Sequence, residues 1–265
     1  RGVENYPIHI KLDTGMHRLG FMSEELGELL AYLKGSRRVH VKSVYSHLAA
    51  SDDPNHDEFT LEQIALFKTN ADRMTSVLGY KPMYHILNSA GIERFPEYHF
   101  DMCRLGIGLY GFSFLSSATL SGRANHSENR ENIHSLRNVC TLKTTILSIK
   151  TVQAGDTIGY GRHTTLSEPR QIAVIPIGYA DGFDRRFSNY GGEVLVRGKR
   201  CPVVGNVCMD QAMIDVTGTD AQAGDFVTIF GDELPIEQLA EQLGTITYEI
   251  LTSVSRRVQR VYYYE

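Results

Sequence analysis

The chain has 265 residues, 42% of them hydrophobic and 22% charged, which suffices to bury one or two cores. Its formal charge of -4 gives no field for nucleic acid or anionic lipid, so a small-molecule partner is expected. No apolar run approaches the roughly 18 residues that span a bilayer, and the start, RGVENYPIHIKL, has neither the apolar core nor the cleavage pattern of a leader, which predicts a cytoplasmic protein.

The first 112 residues alternate β-rich runs with helical patterns. IHIKL (8–12) precedes an amphipathic stretch from Ser23 to Leu33, with Ser23 expected at the N-cap and acids in the first turn. HVKSVYSHL (40–48) precedes a second, from Glu58 to Leu78. MYHIL (83–87) precedes Ser89 to Arg94, and HFDMC (99–103), read as a fourth strand, precedes IGLYG. Such alternation predicts a parallel α/β sheet, as in half of a β/α barrel. A polar, loop-like stretch at 113–133 reads as a linker. Residues 134–265 carry short β-branched runs (NVCTLKTTILSI, RQIAVIPIGYA, GEVLVRG, CPVVG, QAMIDV, DFVTIFG) between Gly/Asp turns, including AGD at 154–156 and 223–225. They predict an all-β domain with one helix near Ile236 to Leu243. The four cysteines (103, 140, 201, 208) form neither a CxxC pair nor a Cys/His cluster, which predicts reduced, mostly buried thiols and no metal.

Each apolar strand of the first half ends in polar side chains: Lys11 and Asp13, His47, Asn88 and Ser89, and Arg104. In a parallel barrel these ends converge on the face that carries the chemistry. A permanent charge such as Arg104 is costly there without an acceptor. The alternative for Arg104 is an ion pair with Asp101 or Glu93, for Lys11 a pair with Asp13, for Ser89 simple helix capping, and for His47 a structural role.

KLDTGMHRLGF (11–21), YSHLAASD (45–52), NSAGI (88–92), RLGIGLYG (104–111), IGYGR (158–162), IPIGYADGF (175–183) and VGNVCMDQ (204–211) resemble, in order and approximate spacing, the motifs of alanine racemases. The resemblance implies pyridoxal 5'-phosphate as cofactor and interconversion of L- and D-alanine, supplying D-alanine for peptidoglycan. The fold implied is the C-terminal half of a (β/α)8 barrel followed by a β-domain. It places the cofactor phosphate at Asn88, Ser89, Gly106 and Ile107, gives Arg104 to the pyridine nitrogen, and has His47 link Arg104 to a catalytic tyrosine, Tyr160. Lys11 would be carbamylated and position Arg18 toward the substrate carboxylate, which Tyr179, Met209 and Asp210 would also meet, with Arg185 in the entry corridor. In the family the tyrosine acts across a head-to-tail homodimer.

Racemisation needs a base on each face of the α-carbon. The family's second base, the cofactor lysine of a Val-x-Lys-Ala-Asn-Ala-Tyr-Gly motif, has no match in these 265 residues. A complete barrel takes about 250 residues, so the chain reads as the C-terminal part of a longer protein, inactive alone, with an origin in a ligase fusion one option. Two departures stand out: His17 where many relatives have glycine, and Arg256 where several have a phosphate-contacting tyrosine. They leave a serine racemase open. A barrel decarboxylase of the same cofactor would put an acid where Arg104 stands. A non-catalytic cofactor-binding regulatory protein leaves IGYGR and CMDQ without a role, and a purely structural β-module leaves the polar strand tips unexplained.

Overall fold

A computed structural model describes residues 2–114 and 136–263. The chain divides into two compact units, Arg1–Arg137 and Asn138–Glu265. The linker expected at 113–133 lies, from residue 115 on, outside the described residues.

The first unit is built on a parallel sheet of β1 (Tyr6–Lys11), β2 (Val39–Tyr45) and β3 (Met83–His85) in that order. Its crossovers carry α1 (Leu26–Gly35) and α2 (Asp57–Leu78), and α3 (Ser89–Arg94) follows β3. The expected strand-helix alternation and parallel pairing are therefore present. α2 buries Ile64, Phe67, Ala71 and Met74, the three-to-four spacing of one helical face. Phe67 and Met74 are fully enclosed, each stabilising by roughly 1.5–3 kcal/mol. The helix ends at Gly79, whose φ of 75° allows its N–H to close on Thr75 O as a left-handed cap.

Two expectations fail here. Ser23 does not cap α1; the N-cap position is Glu25, with no side-chain cap, and the Ser23 hydroxyl instead accepts from Asn70 Nδ2 of α2. HFDMC is not a strand. Phe100 adopts a left-handed φ of 50°, which breaks the pleat, and the segment follows β3 through separate bonds, Asp101 N–H to Tyr84 O, Tyr84 N–H to the Asp101 carboxylate and Arg104 N–H to Leu87 O.

The second unit is an antiparallel sheet in the order β4 (Leu142–Thr145), β12 (Phe226–Phe230), β9 (Glu193–Val196), β10 (Lys199–Val204), β11 (Ala212–Asp215), β8 (Arg170–Ile175) and β5 (Ser148–Val152). A small ribbon pairs β6 (Thr157–Ile158) with β7 (Thr164–Thr165). The two AGD segments form the same turn: the carboxylates of Asp156 and Asp225 accept from the N–H of Gln153 and Gln222, with Gly155 and Gly224 left-handed. The expected helix is α4 (Ile236–Leu243). A second, α5 (Thr247–Ser253), went unread because TYEILTS is rich in β-formers. All four cysteines are free; Cys201 is buried, but the other three are only half-buried, short of the burial expected. Burial raises the Cys201 thiol pKa to about 11.

Candidate active site

The register of the parallel sheet builds the candidate site residues of the first unit. Lys11 pairs with Tyr45 and Tyr45 with His85, so the C-terminal ends of all three strands form one row. The row continues past the strands through Leu12 N–H to Tyr45 O and Ser46 N–H to His85 O. From α2, buried Gln63 ties the loops above it: its Nε2 donates to His47 O and its Oε1 accepts from Ala49 N–H.

Arg104 lies across this row, its guanidinium 5.4 Å over the Tyr45 ring. Nη2 donates to Ser46 O (2.6 Å), Ile86 O (3.0 Å) and His47 Nδ1 (3.2 Å); Nη1 donates to His85 O (3.3 Å) and His85 Nδ1 (2.5 Å). Among the described residues no hydrogen bond runs from Nε. The ion pair with Asp101 or Glu93 does not form: Asp101 pairs with Lys81, and Glu93 accepts from the Ser113 hydroxyl. Burial, then the charges of Arg104, Arg18 and Lys11, lower the His47 pKa to about 4; burial and Arg104 do the same to His85. Both rings are neutral at pH 7.

His85 was missed by the sequence reading. MYHIL shows only an apolar strand with one histidine, and nothing in it announces that Nδ1 meets the guanidinium.

Lys11 does not pair with Asp13. Asp13 turns its carboxylate to the N–H groups of Gly15 and His17, both at 3.0 Å, while burial and Arg18 lower the Lys11 pKa. His17 itself has φ 52°, a left-handed position that suits glycine and that histidine visits more readily than most side chains. Arg18 is exposed.

Asn88, not Ser89, caps α3: its Oδ1 accepts Gly91 N–H and the Ser51 hydroxyl. Ser89 is buried, and its Oγ accepts from the N–H of Gly106 (2.9 Å) and Gly108 (3.2 Å). The Gly106 amide expected to face a phosphate is thus turned onto Ser89, which leaves the Ser89 hydroxyl proton to donate elsewhere. Ile107 is buried at the start of a 3-10 turn, Ile107–Tyr110.

The second unit brings Tyr179 and Met209 together. Tyr179 N–H donates to Cys208 O and Ala180 N–H to Met209 O. A Cβ on Gly178 would stand 2.3 Å from Cys208 O, so the close approach requires glycine. Asp181, unremarked in the sequence reading, braces this turn through Gly178 N–H and through Arg257, 2.9 Å away. Asp210, Arg185 and Arg256 are exposed. Tyr160 opens the 3-10 turn Tyr160–Arg162; its side chain projects into solvent, 75% exposed, while its carbonyl accepts from Asn206 Nδ2 at 2.7 Å.

Comparison with known proteins shows what the whole chain is similar to. Residues 2–114 match the family model for the alanine racemase N-terminal domain and residues 139–262 the one for the C-terminal domain. Alanine racemase 1 of Oceanobacillus iheyensis is 39% identical over 96% of the chain and 66% of its own length. Alanine racemase of Desulfovibrio desulfuricans is likewise 39% identical. The chain thus spans about two thirds of the curated relatives it matches, 66% in both cases. Among solved structures, alanine racemase from D-cycloserine-producing Streptomyces lavendulae superposes with a TM-score of 0.86 at 33% identity, covering 99% of this chain and 67% of that one. That from Bartonella henselae, with covalently bound pyridoxal phosphate, gives 0.81 at 32% identity, covering 97% and 66%. On the strength of both family models and these likenesses, the chain belongs to the alanine racemase family.

Proposed function

We propose that the protein containing this chain interconverts L-alanine and D-alanine in the cytoplasm by two-base proton transfer with pyridoxal 5'-phosphate as cofactor, supplying D-alanine for peptidoglycan. The observation that carries this reading is Arg104, whose Nη1 and Nη2 hydrogen bonds run to three backbone carbonyls and two neutral imidazoles while Nε–H is left as a donor. That donor fits an uncharged pyridine nitrogen. The Ser89 hydroxyl, its oxygen already accepting from two glycine amides, fits a phosphate oxygen. Asn88, Ile107 and exposed Arg256 would complete the set of phosphate-side residues, with Gly106, whose amide is held by Ser89, beside them. When bound, the cofactor supplies an electron sink for the carbon that loses its proton. A guanidinium cannot surrender its proton, so Arg104 would leave the ring nitrogen unprotonated and limit that sink. Such a restraint disfavours decarboxylation and transamination, and it argues against the decarboxylase reading.

Tyr160 would hold and move the proton at its phenol oxygen, polarised through His47 and Arg104 of a second subunit in a head-to-tail homodimer. Tyr179, Met209, Asp210 and Arg18 would meet the substrate carboxylate, with Lys11 carbamylated so that it attracts Arg18 instead of repelling it. The first unit would form part of a β/α barrel, with 113–133 as linker to the β-domain at 134–265. The family's cofactor-lysine motif is not among these residues, so residues 1–265 by themselves are expected not to racemise alanine. The test is L- to D-alanine conversion by the full-length protein with added cofactor, beside the Tyr160→Phe variant. Loss of conversion in the variant supports the reading; absence of conversion in the full-length protein, or undiminished conversion in the variant, overturns it. Serine offered in parallel decides substrate preference.

A further inference from the structure

Asn206 lies in VGNVCMDQ but has no part in the scheme above. It is buried, 7% exposed, and its side chain faces inward to the loop that carries Tyr160. A carbonyl only accepts, so the group facing Tyr160 O must be Nδ2, and Oδ1 therefore faces Asn189, accepting from its Nδ2 at 3.1 Å. The Asn189 Oδ1 accepts the Thr164 hydroxyl at 2.8 Å. The Thr164 oxygen, itself buried, in turn accepts Gly205 N–H at 3.1 Å. Every donor and acceptor in this chain has one permitted direction, which makes the arrangement self-consistent and stiff.

The loop it holds needs such a restraint. Gly159, Gly161 and Arg162 all have positive φ, at 69°, 76° and 53°, and a Cβ on Gly205 would meet Ile158 O at 2.9 Å. The backbone beneath Tyr160 is therefore pressed onto residues 205–206, while the phenol above it projects freely.

We propose that Asn206 is a positioning residue for Tyr160: its buried amide, oriented by Asn189 and Thr164, fixes the backbone from which the phenol reaches the substrate carbon. The proposal rests on the reading of Tyr160 as a base. It predicts that the amide acts on turnover and not on substrate affinity, since both its polar atoms are taken up by Tyr160 O and Asn189.

The experiment uses the full-length protein, with Asn206→Asp removing the donor at constant size and Thr164→Val and Thr164→Ser as the second pair. In N206D, kcat should fall on the order of tenfold to a hundredfold, because small displacements of a reacting group cost that much, with KM nearly constant. Activity should partly return at acid pH, where the carboxyl regains a proton to donate. T164V should show a smaller loss that T164S restores. A fluorinated tyrosine at position 160, read by fluorine NMR, should shift or broaden in N206D and T164V and not in T164S. An unmoved fluorine signal in N206D, or loss of KM in place of kcat, would sink the proposal. A moved signal in a protein whose Tyr160→Phe variant stays active leaves the anchoring standing and removes the catalytic reading of Tyr160.

Discussion

Arg104 Nη1 donates to His85 Nδ1, and this one contact fixes the state of the histidine. An arginine has no lone pair to offer, so Nδ1 must be bare and Nε2 must carry the proton. Nε2 then donates to Ser43 Oγ at 3.0 Å, and the Ser43 hydroxyl donates onward to His9 Nδ1 at 2.6 Å. Proton–nitrogen correlation NMR is expected to show His85 as the Nε2–H tautomer at neutral pH; a signature of Nδ1–H would contradict the hydrogen-bond direction. Replacing the ring, His85→Ala, removes an acceptor from a half-buried guanidinium and should cost about 1–3 kcal/mol of stability, measured by denaturant unfolding, together with weaker cofactor uptake.

The same two histidines set a pH dependence. Both have pKa values lowered from 6.5 to about 4 in the folded protein, so between those values the unfolded chain binds protons that the native state refuses. Stability therefore rises with pH across this window and declines as pH falls from about 6.5 toward about 4. Unfolding midpoints at pH 7 and pH 5 should show the decline, and it should be shallower in a His85→Asn variant. An unchanged slope in that variant would show that His85 is not among the groups responsible.

Ser89→Ala leaves the N–H groups of Gly106 and Gly108 without their acceptor. A loss of about 1–3 kcal/mol is expected. The more specific result is a raised dissociation constant for the cofactor with little change in cofactor-independent folding cooperativity, followed by absorbance titration of the full-length protein. Equal affinity in the variant would remove Ser89 from the phosphate side.

Gly178→Ala would drive a methyl group to 2.3 Å from Cys208 O and 2.5 Å from Met209 O, with φ of -146° already comfortable for alanine. The strain is thus purely one of overpacking, about 1–3 kcal/mol. It should separate Tyr179 from Met209, raising KM for the amino acid. Wild-type KM in this variant would mean that the Tyr179–Met209 pairing is dispensable for binding.

Period-two and helical patterns made β1, β2, β3, α2 and α3 legible to within a few residues, most clearly α2, which buries Ile64, Phe67, Ala71 and Met74 along one face. The register Lys11–Tyr45–His85 could be anticipated only as convergence of strand tips. HFDMC misled because its alternation is that of a strand, while the backbone at Phe100 turns left-handed to let Asp101 reach Tyr84. Pattern reading registers which residues are apolar, not which carbonyl needs a donor. For that reason Arg104 was visible as an anomalous charge, whereas Gln63, His85 and Asn206, whose work lies in directed hydrogen bonds between distant loops, were not. Ser89 and Gly106 were both singled out, yet their bond to each other emerged only in three dimensions.

Lys11, Arg18 and Arg104 all act on His47 with the same sign, and no acidic group offsets them among the causes of its shift. Three positive charges thus gather near the His47 ring in the first unit, with Asp13 beside Lys11, although the chain as a whole is acidic. Small anions, amino-acid carboxylates and phosphate esters alike, would be drawn to that cluster by long-range attraction before any specific contact forms, and the encounter rate should drop as added salt shortens the Debye length.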